Sequence, residues 1–80
     1  MSKIQIFNTG YTDYWCRPIY LSKDKKQMFV DTNMDDLNPD IHWVDKKPPK
    51  SLREIHWNPE AYEPVCRPKH VEIITTPKKQ

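Results

Sequence analysis

Tyr14-Trp15-Cys16-Arg17-Pro18-Ile19-Tyr20-Leu21, then Ser22-Lys23-Asp24-Lys25-Lys26, then Gln27-Met28-Phe29-Val30-Asp31, is the stretch whose reading decides the fold. Its two flanks are aromatic and β-branched, a composition that fits a pleated, half-buried surface, and the segment between them is polar and of hairpin length. The expected structure is an antiparallel hairpin. No Asn-Gly or Asp-Gly pair marks the turn, so a loop longer than two residues is expected.

Upstream, Ile4-Gln5-Ile6-Phe7 alternates with period two and meets Asn8-Thr9-Gly10, which reads as a first strand closing in a turn. Downstream, the acidic and amide-rich run from Asp31 to Asp40 reads as a loop, and Ile41-His42-Trp43-Val44 as a fourth short strand. Lys46-Lys47-Pro48-Pro49-Lys50 interrupts regular structure with an extended connection. Ser51 with Glu54 forms a capping-box pattern for one helical turn, and Asn58-Pro59-Glu60 offers a second start with proline at the first helical position. His70 to Thr75, with Val71 and Ile73 on one face, closes the fold as a last strand.

These elements predict a mainly β protein, with α+β as the alternative: a small twisted antiparallel sheet or partly open barrel with one or two short helical turns. Residues 1–76 form one small domain and residues 77–80 a flexible basic tail. The predicted core is Ile4, Ile6, Trp15, Ile19, Leu21, Met28, Val30, Ile41, Trp43, Ile55, Val71 and Ile73, with Trp57 the tryptophan left exposed.

Composition narrows the function. Eighty residues provide one core and no second module. A hydrophobic share of 36%, a charged share of 30% and a mean hydropathy of −0.93 argue against a membrane span, and a cytoplasmic location is expected. Thirteen basic against eleven acidic residues leave only +2, well short of a dedicated DNA-binding domain. Two cysteines in such a chain are read as reduced thiols. Eight prolines confine regular elements to short pieces, and a single glycine removes the φ > 0 positions that phosphate loops and nucleophile elbows use.

Three constellations contain residue types that bind metals or carry out catalysis. Asp31-Thr32-Asn33-Met34-Asp35 alternates oxygen ligands as a calcium loop does, but Asp36 stands where glycine is needed and His42 where the bidentate glutamate belongs. Cys16, Cys66, His42, His56 and His70 could supply a zinc tetrad in kind, yet none has ligand spacing. Nor does any motif set a base beside either thiol. No metal, cofactor or catalytic centre is expected. The aromatic and arginine side chains are the better candidates, because such residues serve both as protein hot spots and as stacking platforms for single strands. Arg17, Trp57, Tyr62 and Arg67 are the predicted binding residues.

The run Tyr11-Thr12-Asp13-Tyr14-Trp15-Cys16-Arg17-Pro18-Ile19-Tyr20, then Met28-Phe29-Val30-Asp31-Thr32-Asn33, Glu63-Pro64 and Glu72-Ile73-Ile74, resembles a pattern in short uncharacterised proteins of bacteria, phages and mobile elements. Those proteins carry a Trp-x-Arg-Pro-x-Tyr strand, a charged turn, an aromatic strand ending in Asp-x-Asn, and a closing Glu-Ile-Ile strand. The resemblance implies a phage or mobile-element origin and transfers no activity. The expected function is therefore a non-enzymatic protein-binding module, with a small nucleic-acid-binding domain as the alternative.

Overall fold

The computed structural model describes residues 3–35, 37–51, 53–57 and 61–75. Five strands, β1 (Ile4–Thr12), β2 (Pro18–Ser22), β3 (Met28–Asp31), β4 (Ile41–Trp43) and β5 (Val71–Ile73), and one helix, α1 (Arg53–Trp57), make a mainly β fold. The sheet order is β4-β3-β2-β1-β5. The expected hairpin is β2 with β3, paired antiparallel through Ile19↔Val30, Tyr20↔Phe29 and Leu21↔Met28. Its polar loop is held by Ser22, whose carbonyl accepts from the Lys25 amide and whose hydroxyl accepts from the Gln27 amide.

Two boundaries differ from the sequence reading. Asn8-Thr9-Gly10 is an irregularity inside β1 and not a turn after it: the register with β2 shifts between Asn8 and Thr12, and Gly10 takes φ 85°. A lone glycine in a strand pattern often marks a bulge. Asn8 Oδ1 accepts from the Gly10 amide, and Thr9 Oγ1 donates to the Ile19 carbonyl while accepting from the Tyr11 amide, so side chains complete the broken ladder. The second boundary is β2, which starts at Pro18. Tyr14 and Trp15 belong to the turn before it.

The last strand also departs from a purely antiparallel sheet. β5 joins β1 in parallel, with Ile4↔Val71 and Ile6↔Ile73. Residues 63–66 first run along the outer side of β4, where Val65 N donates to Trp43 O, Trp43 N donates to Cys66 O, and Val44 bridges Pro64. One short connection thus leaves the β4 side and reaches the β5 side. In a flat sheet, the row outside β4 and β5 would be about 24 Å apart at the usual strand spacing of about 4.8 Å, whereas five residues from Cys66 to Val71 span at most about 18 Å. The sheet must curl, which makes it a half-barrel.

Both faces are apolar, as the alternation of β2 and β3 requires. Phe7, Ile19, Leu21, Met28 and Val30 form one face and pack with Val44, Ile55 of α1 and Tyr62. Ile6, Tyr20, Phe29 and Ile41 form the other, joined by Ile4, Trp43 and Val71, all from strands. Phe29 and Trp43 are cross-strand partners with ring centroids 4.6 Å apart. Two expected core residues lie outside this core: Trp15 is 61% exposed and Ile73 is 46% exposed. Trp15 left the core because its segment turns before β2 begins, and Ile73 because β5 is an edge.

Ser51 starts the helix as expected, with a simpler cap than the full capping box: Ser51 Oγ accepts from the Arg53 amide, and the Ser51 carbonyl accepts from the Glu54 amide. Ile55, 1% exposed, holds it to the sheet. The Asn58-Pro59 start and the 77–80 tail lie outside the described residues. Among those described, no helix is long and apolar enough to cross a membrane.

Candidate functional site

The turn between β1 and β2 is organised by one carboxylate. Asp13 is 3% exposed, and its Oδ1 accepts from the amides of Trp15 and Arg17, each at 2.9 Å. Its Oδ2 accepts from Arg17 Nε at 2.9 Å and lies 2.8 Å from Nη2. That same Nη2 donates to the Tyr62 carbonyl at 2.7 Å, tying the turn to the C-terminal segment. The Asp13 carbonyl accepts from the Cys16 amide, and Cys16 takes φ 66°. The Asp13 and Arg17 side chains are turned inward, and Tyr14, Trp15 and Cys16 between them are exposed.

Tyr14 is 64% exposed, like Trp15 beside it, and their rings meet edge to face with centroids 5.6 Å apart and planes at 84°. Beside them an open cleft of about 330 Å³ is lined by Gly10, Tyr11, Thr12, Asp13, Cys16 and Ile55. Gly10 has no side chain to fill this space, and nothing lies within 4 Å of where a Cβ would stand. The result is a rigid aromatic ridge next to a hollow.

The predicted binding residues separate into two groups. Arg17 is a support: its guanidinium is occupied by Asp13 and Tyr62, and its side chain is only 16% exposed. Tyr62 is buried in the core, with the Lys46 ammonium 5.6 Å from its ring centroid. Burial first, and the Asp13 charge second, raise the Tyr62 phenol above its ordinary pKa. Trp57 and Arg67 do face outward. Trp57 ends α1 at 67% exposure, and Arg67 makes an exposed fork with Asp40, Nε to Oδ1 at 3.1 Å, of the kind that contributes at most about 1 kcal/mol. Sequence reasoning placed Trp15 in the core and so missed the ridge. The usable signal was Asp13 itself, since an Asp side chain tends to accept from main-chain amides just after it and so competes with strand continuation.

The Asp31 loop repeats this device. Asp31 is fully buried, and its carboxylate accepts from the amides of Asn33 at 2.9 Å, Asp35 at 3.1 Å and Asp40 at 2.8 Å. Its carbonyl accepts from the Met34 amide, and Met34 takes φ 52°. The oxygens that a calcium loop would aim at an ion are aimed at main-chain amides here. Among the described residues, no three His, Cys, Asp or Glu side chains are grouped to hold a metal. Cys16 and Cys66 are free, exposed thiols on different parts of the fold.

Compared with protein-family models, curated proteins and solved structures, the chain matches none, and its functional reading rests on this geometry.

Proposed function

We propose that this domain is a non-enzymatic protein-binding module that contacts its partner through the Tyr14–Trp15 ridge and the adjoining cleft. The supporting observation is that two large aromatic side chains stand mostly in solvent on a turn tied down by a buried carboxylate. Aromatic anchors dominate interface energetics, and a turn held rigid before binding loses little entropy when the partner arrives. Arg17 and Asp13 act in this reading as positioning residues. In this reading the module is an accessory or host-interaction factor of a phage or mobile element, the origin that the sequence resemblance implies.

A nucleic-acid reading has one observation in its favour: Lys46, Lys47, Lys50 and Arg53 lead into the helix that ends at exposed Trp57. Phosphate-driven binding would weaken steeply between about 50 and 200 mM salt. Retention that does not fall with salt speaks for the protein reading.

The decisive experiment compares the wild type with Tyr14→Ala/Trp15→Ala as bait in extracts of the source cells, followed by affinity measurement on the captured protein. Each truncation of an anchor should weaken binding by about 1–4 kcal/mol. The melting temperature should move by no more than a few degrees, because both side chains are exposed. Equal capture by the wild type and the double variant refutes the assignment.

A further inference from the structure

The cleft beside the aromatic ridge has a charged border. Ile55 of α1 forms part of its lining, and Lys46-Lys47-Pro48-Pro49-Lys50 leads into that helix. From Lys46 to Trp57 the chain carries four cations, Lys46, Lys47, Lys50 and Arg53, against one carboxylate, Glu54, and all five are exposed. This short run holds more positive charge than the +2 of the whole chain. Both of its ends are fixed at the site. At the start, the Lys46 ammonium stands 5.6 Å from the centre of the Tyr62 ring, and the Tyr62 carbonyl accepts from Arg17 of the ridge turn at 2.7 Å. At the end, Arg53 is two residues from Ile55, in a helix of five residues that is only about 7.5 Å long. Between them Pro48 and Pro49 are half-buried and keep the segment extended at about 3.1 Å per residue, which sets Lys47 and Lys50 about 9 Å apart. Among the described residues the cleft lining itself adds one carboxylate, Asp13, which is buried and matched by Arg17.

We propose that the occupant of the cleft is an extended acidic peptide, with an apolar side chain seated beside Tyr14 and Trp15 and flanking carboxylates on Lys47, Lys50 and Arg53. The inference rests on the ridge being the binding site and adds the chemistry of what binds there. Charge complementarity sets the sign of the partner. Two observations favour a peptide over a nucleic acid. The Tyr14 and Trp15 planes stand at 84°, so successive bases cannot stack on both rings, whereas an aliphatic side chain or a proline fits the corner between one face and the other's edge. Asp45 and Glu63 lie exposed next to Lys46 and Tyr62, held side by side as Asp45 N donates to Glu63 O. They repel a continuous phosphate chain, while a peptide sets its carboxylates only where the cations are. A few exposed ion pairs also give a shallower salt dependence than a phosphate chain, so salt still separates the two classes.

Selection of short random peptides displayed against the full chain tests the proposal, with the affinities of enriched peptides then measured by fluorescence anisotropy. The expected peptides carry an aliphatic or aromatic residue within a segment rich in Asp and Glu. Lys47→Glu/Lys50→Glu/Arg53→Glu should weaken their binding about tenfold or more, with little change in melting temperature because all three side chains are exposed. Tyr14→Ala/Trp15→Ala should weaken it at least as much. Enriched peptides without an acidic preference, or acidic peptides indifferent to the triple charge reversal, overturn the proposal and leave the ridge standing as the site. Binding that survives Tyr14→Ala/Trp15→Ala but not the charge reversal overturns the ridge reading, and this one with it. A library that yields no enriched peptide overturns the proposal, as does a single-stranded oligothymidylate that binds more tightly than the peptides and displaces them, which would assign the surface to nucleic acid.

Discussion

Replacing Asp13 by alanine tests the claim that one carboxylate builds the aromatic ridge. The substitution strips two main-chain amides, those of Trp15 and Arg17, of their acceptor and leaves the Arg17 guanidinium without its counter-charge. Breaking a buried ion pair costs about 3–5 kcal/mol, and Arg17 at 16% exposure still reaches some water, so the lower part of that range applies, about 3–4 kcal/mol. At roughly 4–8 °C per kcal/mol for a domain of this size, the melting temperature should fall by about 12–32 °C. Arg17→Met removes only the guanidinium arm and leaves Asp13 its two amides, so it should cost less, about 1.5–3 kcal/mol. The two losses should not add, because both remove the same contact, and a double-mutant cycle should return a coupling of about 1–2 kcal/mol. Thermal and urea unfolding by circular dichroism provide the assay. A fall under about 5 °C for Asp13→Ala, or a coupling near zero, refutes the assignment of the turn to this carboxylate.

Asp31→Ala should destabilise by about 2–4 kcal/mol in urea titration, since three amides lose one buried acceptor, and adding calcium or a chelator should leave the wild-type melting temperature unchanged. Lys25 occupies the left-handed region at φ 63° on the exposed β2–β3 loop, so Lys25→Gly should stabilise by about 0.5–1 kcal/mol, measurable as a raised urea midpoint. Tyr62 has a folded-state pKa above its ordinary 10.0, so the folded state holds the phenol proton more tightly than the unfolded chain. Its contribution is therefore fully present below about pH 10 and lost as pH rises through the folded value. Stability measured from pH 8 to 11 should fall at the alkaline end, and the fall should be smaller in Tyr62→Phe.

How much of this was legible in advance differs by element. The β2–β3 hairpin, the helix start at Ser51, the closing strand at Val71 and the exposure of Trp57 follow from local composition, because the forces that set them act within a few residues. Low glycine content did not exclude φ > 0: Cys16, Lys25 and Met34 all adopt it, each three residues after a turn residue whose carbonyl accepts its amide. Side-chain acceptors at Asp13, Ser22 and Asp31 hold those turns where glycine would ordinarily relax them.

The sequence by itself determined the class of the fold, since alternation and proline spacing permit only short strands and one or two helical turns. The tertiary structure alone decided which apolar residues face water and which polar ones do not. Trp15 and Asp13 are the sharpest case: hydropathy puts the tryptophan inside and the aspartate outside, and the reverse holds, because the buried carboxylate satisfies amides and a guanidinium that no apolar group could. The parallel docking of β5 likewise depends on the curl of the whole sheet, which brings together two edges that no local pattern relates.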